Sequence, residues 1–174
     1  MTSTLKVDNI AHTGGTTAMT INSSGLVLPK SLILQAIATN TDQSISANTA
    51  TVIEWETVVV DTGSYWDSTN HRYTPSVAGY YLCSGTIRSS GNAVSKKQIT
   101  WRKNGSSGSG IEARYQLTDD YLTSNNLPAP TTLIQLNGSG DYIDITFNSE
   151  ESMTVSSSDE PSHSEINIIL VHAT

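Results

Sequence analysis

The sequence predicts an antiparallel all-β sandwich with a short β-rich appendage at its N-terminus, on three observations. Apolar residues recur at every second position, as in Leu5/Val7, Val58/Val60, Ile143/Ile145/Phe147 and Ile166/Ile168/Leu170. A period of two sends one face of a strand into a core and leaves the other to solvent or a partner. Val, Ile, Thr, Tyr and Trp populate those runs, while Asn, Asp, Gly and Ser fill gaps such as "DTGSYWDSTN", "KNGSSGSG" and "LNGSGD", which is turn chemistry. No apolar stripe of helical period lasts longer than about two turns.

The first stretch, residues 1–38, holds "STLKVDNI", the turn-rich "AHTGGTT", "AMTINSSGLVLP" with a Ser-Gly turn between two short strands, and "SLILQAIAT". So short a segment encloses little core by itself. Yet Leu26, Val27, Leu28, Leu32, Ile33, Leu34 and Ile37 make it too apolar for a disordered leader. It is expected to be ordered by association, with copies of itself or with a larger assembly. A polar linker, "TNTDQSISANTA" at residues 39–50, follows, and the sandwich domain is expected over residues 51–174.

Within the domain, "WDSTNHRYTPSVAGYY" leads into a strand carrying Cys83, "ITWRKNG" reads as a strand closed by a turn, "LIQLNGSGDYIDITF" as a hairpin, and "SEINIILV" as a closing strand. Pro75 lacks an N–H and suits the last loop position before a paired strand. Gly79 supplies either an unusual backbone conformation or room for a neighbouring segment. Alternation then places Tyr81 and Cys83 on one face and Tyr80, Leu82 and Ser84 on the other. In the closing strand it places Ile166, Ile168 and Leu170 inward, with Glu165, Asn167 and Ile169 opposite.

Taken in this order, the four segments resemble the complement C1q-like globular domains, which share a jelly roll with the tumour necrosis factor family. The resemblance covers about residues 50–172, with Thr74 where an aromatic is usual and Ile166-Asn167 where Phe and a small residue are common. It implies a C1q/TNF-like jelly roll and a homotrimer, with Tyr81 and Cys83 in the sandwich core and Leu82, Ser84 and Ile169 towards neighbouring subunits. The leader "STLKVDNIAHTGGTTAMTINSSGLV" is similar to N-terminal segments of tail-fibre and virion-surface proteins of tailed bacteriophages. That resemblance implies a non-enzymatic virion protein, a trimeric knob, short fibre or capsid decoration docked on other virion proteins through residues 1–38. A tail-fibre adhesin that binds a host receptor or glycan through its loops is the alternative.

Composition bounds the partners. Nine Lys+Arg against sixteen Asp+Glu give a formal charge of −7, so no basic field is present to attract nucleic acid. A single cysteine rules out an intramolecular disulfide and a several-thiolate metal site within one chain. No stretch approaches the roughly 18 to 20 apolar residues of a membrane span. "MTSTLKVDNIAHTGG" lacks a secretory apolar run, so synthesis in the host cytoplasm and residence in the virion are expected.

Candidates for chemistry were weighed singly. Cys83 would be a nucleophile beside a histidine, but a mid-strand cysteine more often serves as a small hydrophobe. His12, His71, His163 and His172 lack metal-motif spacing. Asp119-Asp120, Glu150-Glu151 and Asp159-Glu160 are adjacent pairs whose side chains diverge in extended chain, which is poor geometry for glycoside hydrolysis. Gly105, Gly108 and Gly110 lack the Lys-Ser/Thr of a phosphate loop. No enzyme activity and no cofactor are expected. Calcium is the one ion whose oxygen chemistry the loops suit, with no ligands assigned. Tyr65, Trp66, Tyr121, Asn125 and Asn126 are the loop residues with side chains suited to a glycan or peptide, or to packing beneath their own loops.

Overall fold

The structure, a computed structural model, describes residues 7–11, 14–15, 17–21, 23–24, 27–29, 31–38, 42–90, 96–106, 111–118, 126–155 and 164–174. Two compact units divide between Leu32 and Ile33. The first holds a three-stranded antiparallel sheet of β1 (Asn9–Ala11), β2 (Thr17–Ile21) and β3 (Val27–Pro29) in that order. Its small residues and turns permit the meander, and among its described residues no side chain is fully buried. Ile10 is 47% exposed, and Met19, Thr20 and Ile21 are only half-buried.

The second unit is an antiparallel jelly-roll sandwich. Its strands are β4 (Ile33–Ala38), β5 (Gln43–Ile45), β6 (Thr51–Val52), β7 (Thr57–Asp61), β8 (Trp66–Asp67), β9 (Arg72–Tyr73) and β10 (Gly79–Ser90), then β11 (Lys96–Lys103), β12 (Ile111–Thr118), β13 (Asn126–Leu136), β14 (Ile143–Ser149), β15 (Met153–Val155) and β16 (Ser164–Ala173). One sheet runs β7-β4-β16-β10, with β13 on the other side of β10 and β15 with β5 at its far end. The second sheet runs β12-β11-β14-β9-β8, with β6 on β14.

Period-two alternation builds the core between them. Leu34, Ala36, Tyr81, Cys83, Ile87, Ile166 and Ile168 enter from the first sheet, and Ile99, Trp101, Ile143, Ile145 and Phe147 from the second. Burying such side chains fully contributes roughly 1.5–3 kcal/mol each. Cys83 is fully buried, its thiol directed at the Tyr81 carbonyl oxygen at 3.7 Å.

The boundaries differ from those expected. Ile33–Ala38, assigned to the appendage, is β4, hydrogen-bonded between β16 and β7 with Leu34, Ala36 and Ala38 in the core. Gln43–Ile45, assigned to the linker, is β5 on the β15 edge, and it buries Ile45. The polar composition of residues 39–50 concealed it, because an edge strand of three residues needs only one inward apolar side chain.

Turns are fixed by short polar side chains. Asp141, nearly buried, accepts from the Asn104 side-chain amide at 2.9 Å and the Asn137 N–H at 3.0 Å, and pairs with Lys103 at 2.9 Å. Burial alone would raise its carboxyl, but the bonds from Asn104, Lys103 and Asn137 outweigh it and hold the pKa below 3.8. In the same turn Gly138 adopts a φ of 67° beside the backbone of Ala78.

Candidate functional site

The outward face of the β7-β4-β16-β10-β13 sheet carries exposed apolar side chains, Val60, Tyr80 and Leu133 among them, and the strand register organises it into rows. Directly opposed residues on neighbouring antiparallel strands share a face, with Cβ atoms about 5 Å apart. Leu133 on β13, Leu82 on β10, Ile169 on β16 and Ile33 on β4 stand opposite one another in turn. They form one apolar row across four strands, with Leu133 55% exposed and the others half-buried.

The rows on either side differ. Towards the C-terminal end of β16, Tyr80 lies opposite both Gln135 and His172, and its ring meets the His172 ring at 6.3 Å. Val171, 51% exposed, is the extra residue of a bulge between them. Towards the other end, Ser84, Asn167 and Gln35 form a polar ladder that reaches Val60. Beyond it Thr86, Glu165, Ile37 and Thr57 make a mixed row.

The β7 margin is also apolar. Gln35 faces Val60 and Ala36 faces Val58, so Val59 is an extra residue, and all three valines are exposed. An exposed hydrophobic edge strand adds backbone groups able to pair with another chain.

The residues expected at subunit contacts lie together. Leu82 and Ile169 are partners in the apolar row, and Ser84 is the first rung of the polar ladder. Sequence reading missed Leu133, Ile33 and Val59. The signal was present as consecutive apolar pairs, "LI" at 133–134 and "IL" at 33–34, in which one residue must face away from the core.

Of the loop candidates, Tyr65, Trp66 and Asn126 lie within the described residues. Tyr65 and Trp66 pack against the core. Tyr65 stands edge-on to Tyr73 at 6.1 Å, Tyr73 edge-on to Tyr81 at 6.0 Å, and the Tyr65 hydroxyl shares a 2.6 Å hydrogen bond with Ser76. Tyr121 and Asn125 lie outside the described residues, as do His12, His163, Asp119, Asp120, Asp159 and Glu160. Among the described residues no three His, Cys, Asp or Glu side chains gather as a metal-binding group.

Comparison with solved structures gives the fold a set of relatives. Murine APRIL at pH 8.0 matches with a TM-score of 0.60 at 15% identity, over 82% of this chain and 100% of that one. The globular domain of zebrafish complement 1qA matches with 0.57 at 12%, over 83% of this chain and 99% of that one. The Eiger TNF of S. frugiperda matches with 0.57 at 12%, over 83% and 95%. At these identities the likeness is one of fold, TNF/C1q-like. No family model and no curated protein matches the sequence.

Proposed function

We propose that the chain is a non-enzymatic structural protein of a bacteriophage virion. In this reading it is a homotrimer joined through the β7-β4-β16-β10-β13 face, and it is held on the particle by its N-terminal segment. The observation that carries the trimer is the four-strand apolar row of Leu133, Leu82, Ile169 and Ile33, with the adjoining Ser84–Asn167–Gln35 ladder. A monomer would leave that row in water. Around a threefold axis three copies cover it, and the ladder supplies amide and hydroxyl groups that pair with their equivalents.

The N-terminal sheet supports the second half of the reading. Among the described residues none of its side chains is fully buried, so two further copies or a docking surface would complete its packing. Its likeness in sequence to phage fibre and virion-surface segments favours a particle as that surface. Three leaders on one trimer multiply a weak attachment.

Light scattering on the purified chain tests the assembly: a trimer supports it, and a monodisperse monomer overturns it. Gold-labelled antibody on intact virions tests the location, with surface labelling expected and unlabelled particles refuting it.

A further inference from the structure

The opposite sheet carries a different surface. On its outward face the register places Thr100 of β11 between Arg114 of β12 and Thr146 of β14. The row on one side holds Gln98 opposite Asn148, and the row on the other holds Arg102 opposite Asp144. Two short threonines flanked by rows of long side chains leave a hollow of about 70 Å³, lined by Gln98, Thr100, Arg102, Arg114, Thr146 and Asn148, with Ala50 at the rim.

Three properties of this hollow point to a ligand. It contains two guanidinium groups and no carboxylate, in a chain whose formal charge is −7. Arg102 is already neutralised by a two-pronged pair with Asp144, both bonds 2.7 Å. Arg114 is exposed and has no ion-pair partner among the described residues. The Asn148 Oδ1 atom is buried and has no hydrogen-bond donor among the described residues, an acceptor that a ligand hydroxyl would satisfy. Thr100 and Thr146 floor the hollow with methyl and hydroxyl groups, the Thr146 hydroxyl donating to the Thr100 carbonyl at 3.5 Å.

We infer that this hollow binds an acidic sugar unit, a hexuronate of a polysaccharide, with its carboxylate on Arg114 and a neighbouring hydroxyl donated to Asn148 Oδ1. A guanidinium grips a carboxylate through paired N–H groups. A sugar hydroxyl, being both donor and acceptor, satisfies the buried amide oxygen and accepts from Gln98. The volume holds about two water-sized groups at about 30 Å³ each, enough for one carboxylate oxygen and an adjoining hydroxyl, with the rest of the sugar outside. This site depends on neither the trimer nor the virion, because it lies on the sheet opposite the proposed subunit interface.

Titration of the isotope-labelled full-length chain with sodium glucuronate, followed by NMR, tests it, with glucose, acetate and a short poly-glutamate peptide as comparators. Saturable shifts at Thr100, Arg114, Thr146 and the Asn148 side-chain amide are expected with glucuronate and weaker ones with glucose or acetate. Arg114→Gln should weaken glucuronate binding about tenfold or more at an unchanged melting temperature, as loss of a charged hydrogen bond does. Asn148→Ala should weaken glucuronate and leave acetate unaffected. Absence of saturation with glucuronate, acetate binding as tightly, preference for the peptide, or an Arg114→Gln variant that binds normally would each overturn the assignment. A monomeric chain that still binds glucuronate would overturn the trimer alone.

Discussion

At the scale of single residues, Gly79 shows how one position decides a strand. Its φ is not in the left-handed region; a Cβ there would collide with the His172 carbonyl oxygen. Of the two roles open to it from sequence, close approach is the one realised, where β16 bulges against β10. Gly79→Ala should destabilise by about 1–3 kcal/mol through overpacking, read as a lower urea midpoint. Tyr73 makes the opposite case. Its hydroxyl is buried with no hydrogen-bond partner among the described residues, and burial, followed by neighbours including Tyr81, raises its phenol. Tyr73→Phe should therefore stabilise by about 1 kcal/mol, because an unmade buried hydrogen bond costs that or more. Asp141 gives an acid response. Its folded carboxyl lies below the ordinary 3.8, so the unfolded chain takes up the proton first; the stabilisation is complete above 3.8 and lost as pH falls below it. Urea midpoints measured from about pH 5 to about pH 3 should fall further for the unsubstituted chain than for Asp141→Asn.

At the scale of elements, β4 matters most. It is hydrogen-bonded on both sides and contributes Leu34, Ala36 and Ala38 to the core. Truncation before Ile33 should leave a folded domain with a cooperative melt. Truncation before Thr39 should give insoluble or molten chain, because the edges of β16 and β7 open and three core side chains are lost. Equal melting of the two would show that β4 is dispensable. The strand was legible as apolar alternation, but its allegiance was not: nothing between Leu32 and Ile33 marks a boundary, whereas the polar run after Ala38 looks like one. Lys97 is a second case. A lysine in an alternating strand reads as outward, yet it is 1% exposed, donates to the Ser89 hydroxyl at 3.2 Å and lies opposite Ser149. Burial lowers its amine. The serines that make this end of the sandwich hospitable lie on other strands, where no local pattern announces them.

At the scale of the whole molecule, two sheets of one sandwich have outward faces of opposite character. One is banded with apolar rows, and the other is polar and locally cationic in the hollow around Arg114. Covering the first leaves the second free, which is the arrangement an assembly component with an accessible binding surface requires. Leu82→Asp places a charge in the middle of the apolar row and should convert the proposed trimer to monomer or to insoluble chain, since an unpaired charge is costly to bury. An intact trimer by light scattering would remove Leu82 from the interface.

The sequence by itself determined the all-β class and which residues of a strand share a face, Tyr81 with Cys83 and Ile166 with Ile168, because period two is a local property of a pleated chain; the resemblance to C1q-like domains supplied which face of Tyr81 and Cys83 points inward. It also placed Leu82, Ser84 and Ile169 on the outward side. Which outward residues become neighbours was decided only in three dimensions. Ile33 and Ile169 meet across one ladder, and Leu82 joins them to Leu133. Alternation selects a face for each side chain but not the strand beside it, and that choice rests on pairing between segments distant in the chain.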